Sequence, residues 1–101
     1  MQMVMIMFRS SLEADVLDIL RAAAVPGYTD VHRVLGAGES GVRLDSFEQP
    51  GSNSLVVTAL AERDASVLVE RLRAFRDDAS RRRRGAGVPL RVFVLPCRQA
   101  L

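Results

Sequence analysis

The chain predicts an α+β sandwich of element order βαββαβ, a four-stranded antiparallel sheet carrying two helices on one face. Three observations predict it. Four short apolar runs have the length of strands, two intervening segments switch to a helical period, and the order reads strand, helix, strand, strand, helix, strand. That is the ferredoxin-like split βαβ pattern.

Met3 to Phe8, "MVMIMF", is six apolar residues, which suits a buried strand better than a helix. In "SSLEADVLDILRAAAV", Leu12, Val16, Ile19, Leu20, Ala23 and Ala24 fall on one helical face, while Glu13, Asp15, Asp18 and Arg21 fall off it. Ser10 with Glu13 predicts a capping box, and Pro26 with Gly27 predicts the stop. "YTDVHRVL" alternates and is β-branched, so it reads as the second strand; "SLVVTAL" is the third. Asp64 or Ser66 is positioned to cap a second helix whose buried stripe is Val67, Leu68, Leu72, Phe75 and Ala79, with Glu70, Arg71, Arg73, Asp77 and Asp78 outside. "RRRRGAG" ends it, and "LRVFVL" is the last strand.

At 101 residues the chain is expected to form one domain, residues 1–101, and 49% hydrophobic with 26% charged residues is the composition of a folded protein. Met3 to Phe8 lacks the basic flank and length of a signal peptide or membrane span, which predicts a cytoplasmic protein without membrane insertion. A single cysteine, Cys97, excludes an internal disulfide. All 14 basic residues are arginine, so no lysine is present for a Schiff base or a P-loop. The net charge of +2 and five aromatic residues without a strand pattern argue against nucleic acid as a partner.

The strands carry more apolar surface than two helices on one face can cover. Met3, Met5 and Met7 alternate with Val4, Ile6 and Phe8; Leu55, Val57 and Ala59 with Val56, Thr58 and Leu60; Leu90, Val92 and Val94 with Phe93 and Leu95. An apolar patch of that extent marks an interface, so self-association through the helix-free face is expected.

Few residues carry chemistry by themselves. Methionines at every second position from Met1 to Met7 share one strand face, a spacing open to a soft metal such as Cu(I) but equally that of a core filler. His32, between Asp30 and Arg33 in sequence, has no Cys, Ser or second His at triad or metal spacing and reads as a surface or interface residue, so no metal ligands are assigned. The carboxylates are scattered, which argues against catalysis. Arg81 to Arg84 complement the dipole of the second helix and pair back to Asp77 and Asp78, or they serve an anion together with the glycines that follow. Residues 36 to 54 are too long for a turn and poor in apolar periodicity, as expected of a flexible functional loop.

The element order, "VPGYT" after the first helix, "GAG" at 36–38 opening the long loop and "GAG" at 85–87 before the last strand together resemble the PII signal-transduction family over nearly the whole chain. The resemblance implies a non-enzymatic homotrimer with sheets packed inside, and a T-loop that senses ligand and touches a partner, such as a membrane transporter or a regulatory enzyme. It implies effector binding in the cleft between subunits at Thr29, Gly36, Gly38, Glu39, Arg83, Arg84, Gly85 and Gly87, with ATP, ADP or AMP as the candidate effectors. It implies partner contacts from Arg43, Asp45, Phe47 and Pro50. The chain departs from the family at Val88, where a lysine is usual, at Glu39, where a glutamine is usual, and in a loop that is short and has no tyrosine to uridylylate. The alternative is a metal-tolerance protein similar in fold to the CutA group, with Met3, Met5, Met7, His32 or Cys97 on a soft ion.

Overall fold

A computed structural model describes residues 1–34, 36–38, 41–43, 52–84 and 87–101. Strand β1 is Gln2–Arg9, followed by a single 3-10 turn at Ser10–Leu12 and helix α1 at Glu13–Ala22. Next come β2 at Thr29–Val34, β3 at Gly36–Gly38, β4 at Gly41–Arg43, β5 at Asn53–Leu60, α2 at Glu62–Arg82 and β6 at Leu90–Pro96. The main sheet has the order β2-β5-β1-β6 with every pairing antiparallel, which is the ferredoxin-like arrangement expected.

Register decides which residues each face shows. On the helix side Val4, Ile6 and Phe8 stand opposite Thr58, Val56 and Ser54 on β5 and opposite Val94, Val92 and Leu90 on β6. Val16 and Leu20 of α1, with Ala65, Leu68 and Leu72 of α2, close over Val4, Ile6, Phe8, Val56 and Leu90 as one buried cluster, whereas Val94 at the far end of β6 stays exposed. The two polar residues in this layer are satisfied: the Thr58 hydroxyl donates to the Gly27 carbonyl at 2.7 Å, and the Ser54 and Ser10 hydroxyls lie 3.0 Å apart. Ser54 is therefore part of the core and not, as the sequence allowed, a residue of an accessible loop.

The helix-free face has the composition expected of it. Met5 at its centre stands opposite Val57 and Phe93, with Met3 beside Leu95, and Leu55 beside Val31 on the edge strand. Val31, Phe93 and Leu95 are each more than two-fifths exposed in the single chain.

The helix ends differ from the sequence expectation for a shared reason, competition from the rest of the fold. No side chain caps either helix: the N-cap of α1 is Leu12 and that of α2 is Ala61. Ser10 bonds Ser52 and Ser54 across the sheet, and Glu13 bonds His32, so the capping box does not form. Helix α1 also stops before Pro26. Ala24 takes φ of 56°, the Ala24 N–H bonds the Arg21 carbonyl and the Val25 N–H bonds the Leu20 carbonyl, a Schellman closure built on alanine. Ala24 is consequently exposed, and Val67 likewise falls outside the buried stripe of α2. Because a left-handed conformation costs a residue with a Cβ about 1 kcal/mol, Ala24→Gly is expected to raise stability by up to that amount. Urea denaturation of the variant beside the parent checks it.

The long connection is not devoid of structure. Strands β3 and β4 pair antiparallel, Gly36 with Arg43, Ala37 with Val42 and Gly38 with Gly41, forming a separate two-stranded ribbon. The ribbon follows a bulge in β2, where pairing shifts between Val31 and Val34 and Arg33 takes φ of 59°. No helix among the described residues is long and apolar enough to cross a membrane.

Candidate functional site

The arginine run divides into two pairs at the C-terminus of α2. Arg81 and Arg82 are both within ion-pair reach of Asp78, at 3.4 and 3.3 Å, whereas Asp77 pairs with Arg76 at 3.1 Å. Arg83 caps the helix and Arg84 leaves it at φ of 55°. Among the described residues neither Arg83 nor Arg84 has an acidic partner, so two guanidinium groups are left facing solvent at one end of the molecule. Arg83 lines a cleft of about 400 Å³ there together with Arg9, Arg82 and Asp15, between the start of α1 and the residues leading into β6.

Gly87 lies on that approach to β6, exposed, and a methyl group built on it meets nothing within 4 Å in the single chain. A side chain there would fit the free protein, so a requirement for glycine would have to come from something that approaches the backbone. Gly36, Gly38 and Arg43 are backbone partners in the β3–β4 ribbon. Glu39, Asp45, Phe47, Pro50 and Gly85 lie outside the described residues.

Thr29 is placed differently. It opens β2, the edge strand on the far side of the sheet from β6, and shares the helix-free face with Val57. Three interstrand steps separate those edges, about 14 Å. One chain therefore does not set Thr29 beside Gly87 and Arg83. Nor does it gather the soft-metal candidates: Met3, Met5 and Met7 share the helix-free face, and His32 is held on the helix side of β2 by Glu13 of α1.

His32 is exposed but not isolated. Its Nε2 lies 3.0 Å from Glu13 Oε1 and 2.9 Å from Asp30 Oδ2. Asp30 and His32 are two apart on a strand and so point the same way, and the helix-side location of that face meets the first turn of α1. Hydrogen bonds to the Asp30 and Glu13 carboxylates hold the His32 imidazole above its ordinary pKa. Glu13 is also raised, chiefly by the neighbouring Asp30 carboxylate and then by burial, against the lowering effect of His32. Sequence spacing could not reveal this trio, since Glu13 is 19 residues from His32 and only the packing of α1 on β2 joins them.

The model of the nitrogen regulatory protein P-II family matches residues 1–101. The chain belongs to that family. P-II proteins are regulatory, in keeping with a surface of clefts, arginines and a long connection. No curated protein matches the chain. Among solved structures, CPII, a nitrogen regulatory PII-like protein from Thiomonas intermedia K12 bound to ADP, AMP and bicarbonate, aligns with a TM-score of 0.66 at 22% identity, over 93% of this chain and 84% of that one. Its apo form aligns with a TM-score of 0.65 at 20% identity, over 93% and 85%. A PII-like signalling protein from Thermus thermophilus gives a TM-score of 0.67 at 20% identity, over 93% and 83%. At such identities the likeness to these P-II structures speaks for the fold alone.

Proposed function

We propose that this P-II protein is a non-enzymatic regulator that assembles as a homotrimer through its helix-free sheet faces and binds an adenine nucleotide in the clefts between copies. The effector biases the connection from 36 to 54, which engages a partner protein, a membrane transporter or a regulatory enzyme. The observation that carries the reading is the uncovered apolar face around Met5, Val57 and Phe93, combined with candidate ligand groups at opposite sheet edges. Thr29 from one copy and Gly87 with Arg83 and Arg84 from another complete a site that a single chain leaves open. Trimerisation and binding are then one event in space, because the surface that closes the oily face also brings the two half-sites together.

Chemically the half-site suits phosphate. Two guanidinium groups without acidic partners among the described residues offer charge, and the backbone at Gly87 is unobstructed by a side chain. The CPII structures, seen with ADP and AMP and also empty, support a nucleotide as the effector class. A ligand that binds one arrangement of the 36–54 connection better than another shifts its population, and only that difference in affinity transmits a signal.

Calorimetric titration of the purified protein with ATP, ADP and AMP tests this. Binding by at least one nucleotide is expected, weakened about a hundredfold or more by replacing Arg83 and Arg84 together with alanine, since each charged hydrogen bond is worth about 1.5 to 3 kcal/mol and every 1.4 kcal/mol is about tenfold. Gly87→Ala is expected to weaken binding while leaving the melting temperature of the free protein unchanged. Absence of heat and of any thermal shift with all three nucleotides would remove the nucleotide from the proposal.

A further inference from the structure

We propose that Glu13, Asp30 and His32 form a site for a divalent transition-metal ion of the zinc class, built where the first turn of α1 meets β2. The site is independent of the effector reading, because it lies on the helix side of the sheet and is made within one chain. One ligand atom from each of the three residues falls within 4.8 Å of the others. The His32 Nε2 distances of 3.0 and 2.9 Å to the two carboxylates fit the edges of a coordination shell, which are about 3.0 to 3.4 Å for ligands about 2.1 Å from the ion.

Two further carboxylate oxygens point to a missing partner. Glu13 Oε2 and Asp30 Oδ1 each expose less than 1 Å² and, among the described residues, have no hydrogen-bond partner. Two acidic groups are brought together with a single exposed imidazole to offset them. A dication would satisfy the orphaned oxygens and neutralise both carboxylates at once. One nitrogen and two carboxylates form a borderline donor set that suits Zn²⁺. It offers too few oxygens for Ca²⁺ and no sulfur for Cu(I). His32 keeps 62% of its side chain exposed, so the fourth position opens to water.

The test is calorimetric titration of tag-free, EDTA-dialysed protein with Zn²⁺ at neutral pH, together with His32→Gln, Asp30→Asn and Cys97→Ser. One ion per chain is expected for the parent and for Cys97→Ser. At least a tenfold weaker affinity is expected for His32→Gln and for Asp30→Asn, with Mg²⁺ producing no heat. Circular dichroism verifies that His32→Gln, at an exposed position, keeps its fold, so a loss of affinity there reports ligation. No binding by the parent at submillimolar Zn²⁺, or binding that survives both His32→Gln and Asp30→Asn but disappears in Cys97→Ser, would overturn the assignment. Nucleotide titrations do not enter either outcome.

Discussion

Phe93→Asp is expected to yield a folded chain that no longer assembles. Phe93 is 49% exposed in the single chain and lies on edge strand β6 facing away from both helices, so the fold of one copy loses little when it is replaced. In an assembly closed through that face the effect is large. The lost burial of an aromatic side chain costs about 1.5 to 3 kcal/mol, and a carboxylate forced among Met5, Val57 and Leu95 costs several more. Each copy bears the penalty, so dissociation should be favoured by about a hundredfold or more per contact. Light scattering at micromolar concentration is expected to report three chains per particle for the parent and one for the variant, with unchanged far-ultraviolet circular dichroism. A parent particle of one chain would sink the shared-site reading. Nucleotide binding, if the clefts are intersubunit, should vanish with the trimer although residue 93 need touch no ligand.

How much of this was legible in the sequence follows from which interactions are local. The strands were legible because their apolar runs are about six residues long and bounded by breakers, and their two faces because side chains alternate whatever the register. The helix ends were not. A local capping box between Ser10 and Glu13 loses to partners 42, 44 and 19 residues away, which no short window contains. The stop at Ala24 was hidden because alanine carries no preference for φ of 56°; the Val25 contact with the core and the two Schellman bonds impose it. The β3–β4 ribbon was hidden for a related reason: three of its six residues are glycine, which propensity assigns to loops although their backbone pairs readily. The sequence shows the arginine run but could not divide Arg81 and Arg82, engaged by Asp78, from Arg83 and Arg84. Glu13 escaped altogether as a partner of His32, because a helix and a strand have to be docked before those two side chains are neighbours.

Ile6→Ala is expected to produce the largest loss of chain stability, and to do so without reference to the oligomer. Ile6 is 0% exposed on central strand β1, paired to Val56 and Val92 and enclosed in the same cluster as Val16, Leu20 and Leu68. Removing its side chain deletes buried methyl and methylene groups and leaves a cavity that rigid strands on both sides cannot fill, a change worth about 2 to 5 kcal/mol. Against a total stability of about 5 to 15 kcal/mol for a domain of ordinary kind, that is a large fraction, and a fall in melting temperature of about 10 °C or more is expected. The neighbouring Met5 points to the opposite side of the sheet, so stability read from Ile6 and assembly read from Phe93 belong to different layers. The decisive measurement is urea denaturation of Ile6→Ala in the Phe93→Asp background, where no trimer complicates the equilibrium. If the helix-side layer is a core complete within one chain, the loss should be the same at every protein concentration. If the single chain instead needs its neighbours in order to fold, the Phe93→Asp protein will show no cooperative transition for Ile6→Ala to shift, and the two faces of the sheet will have to be treated as one cooperative unit.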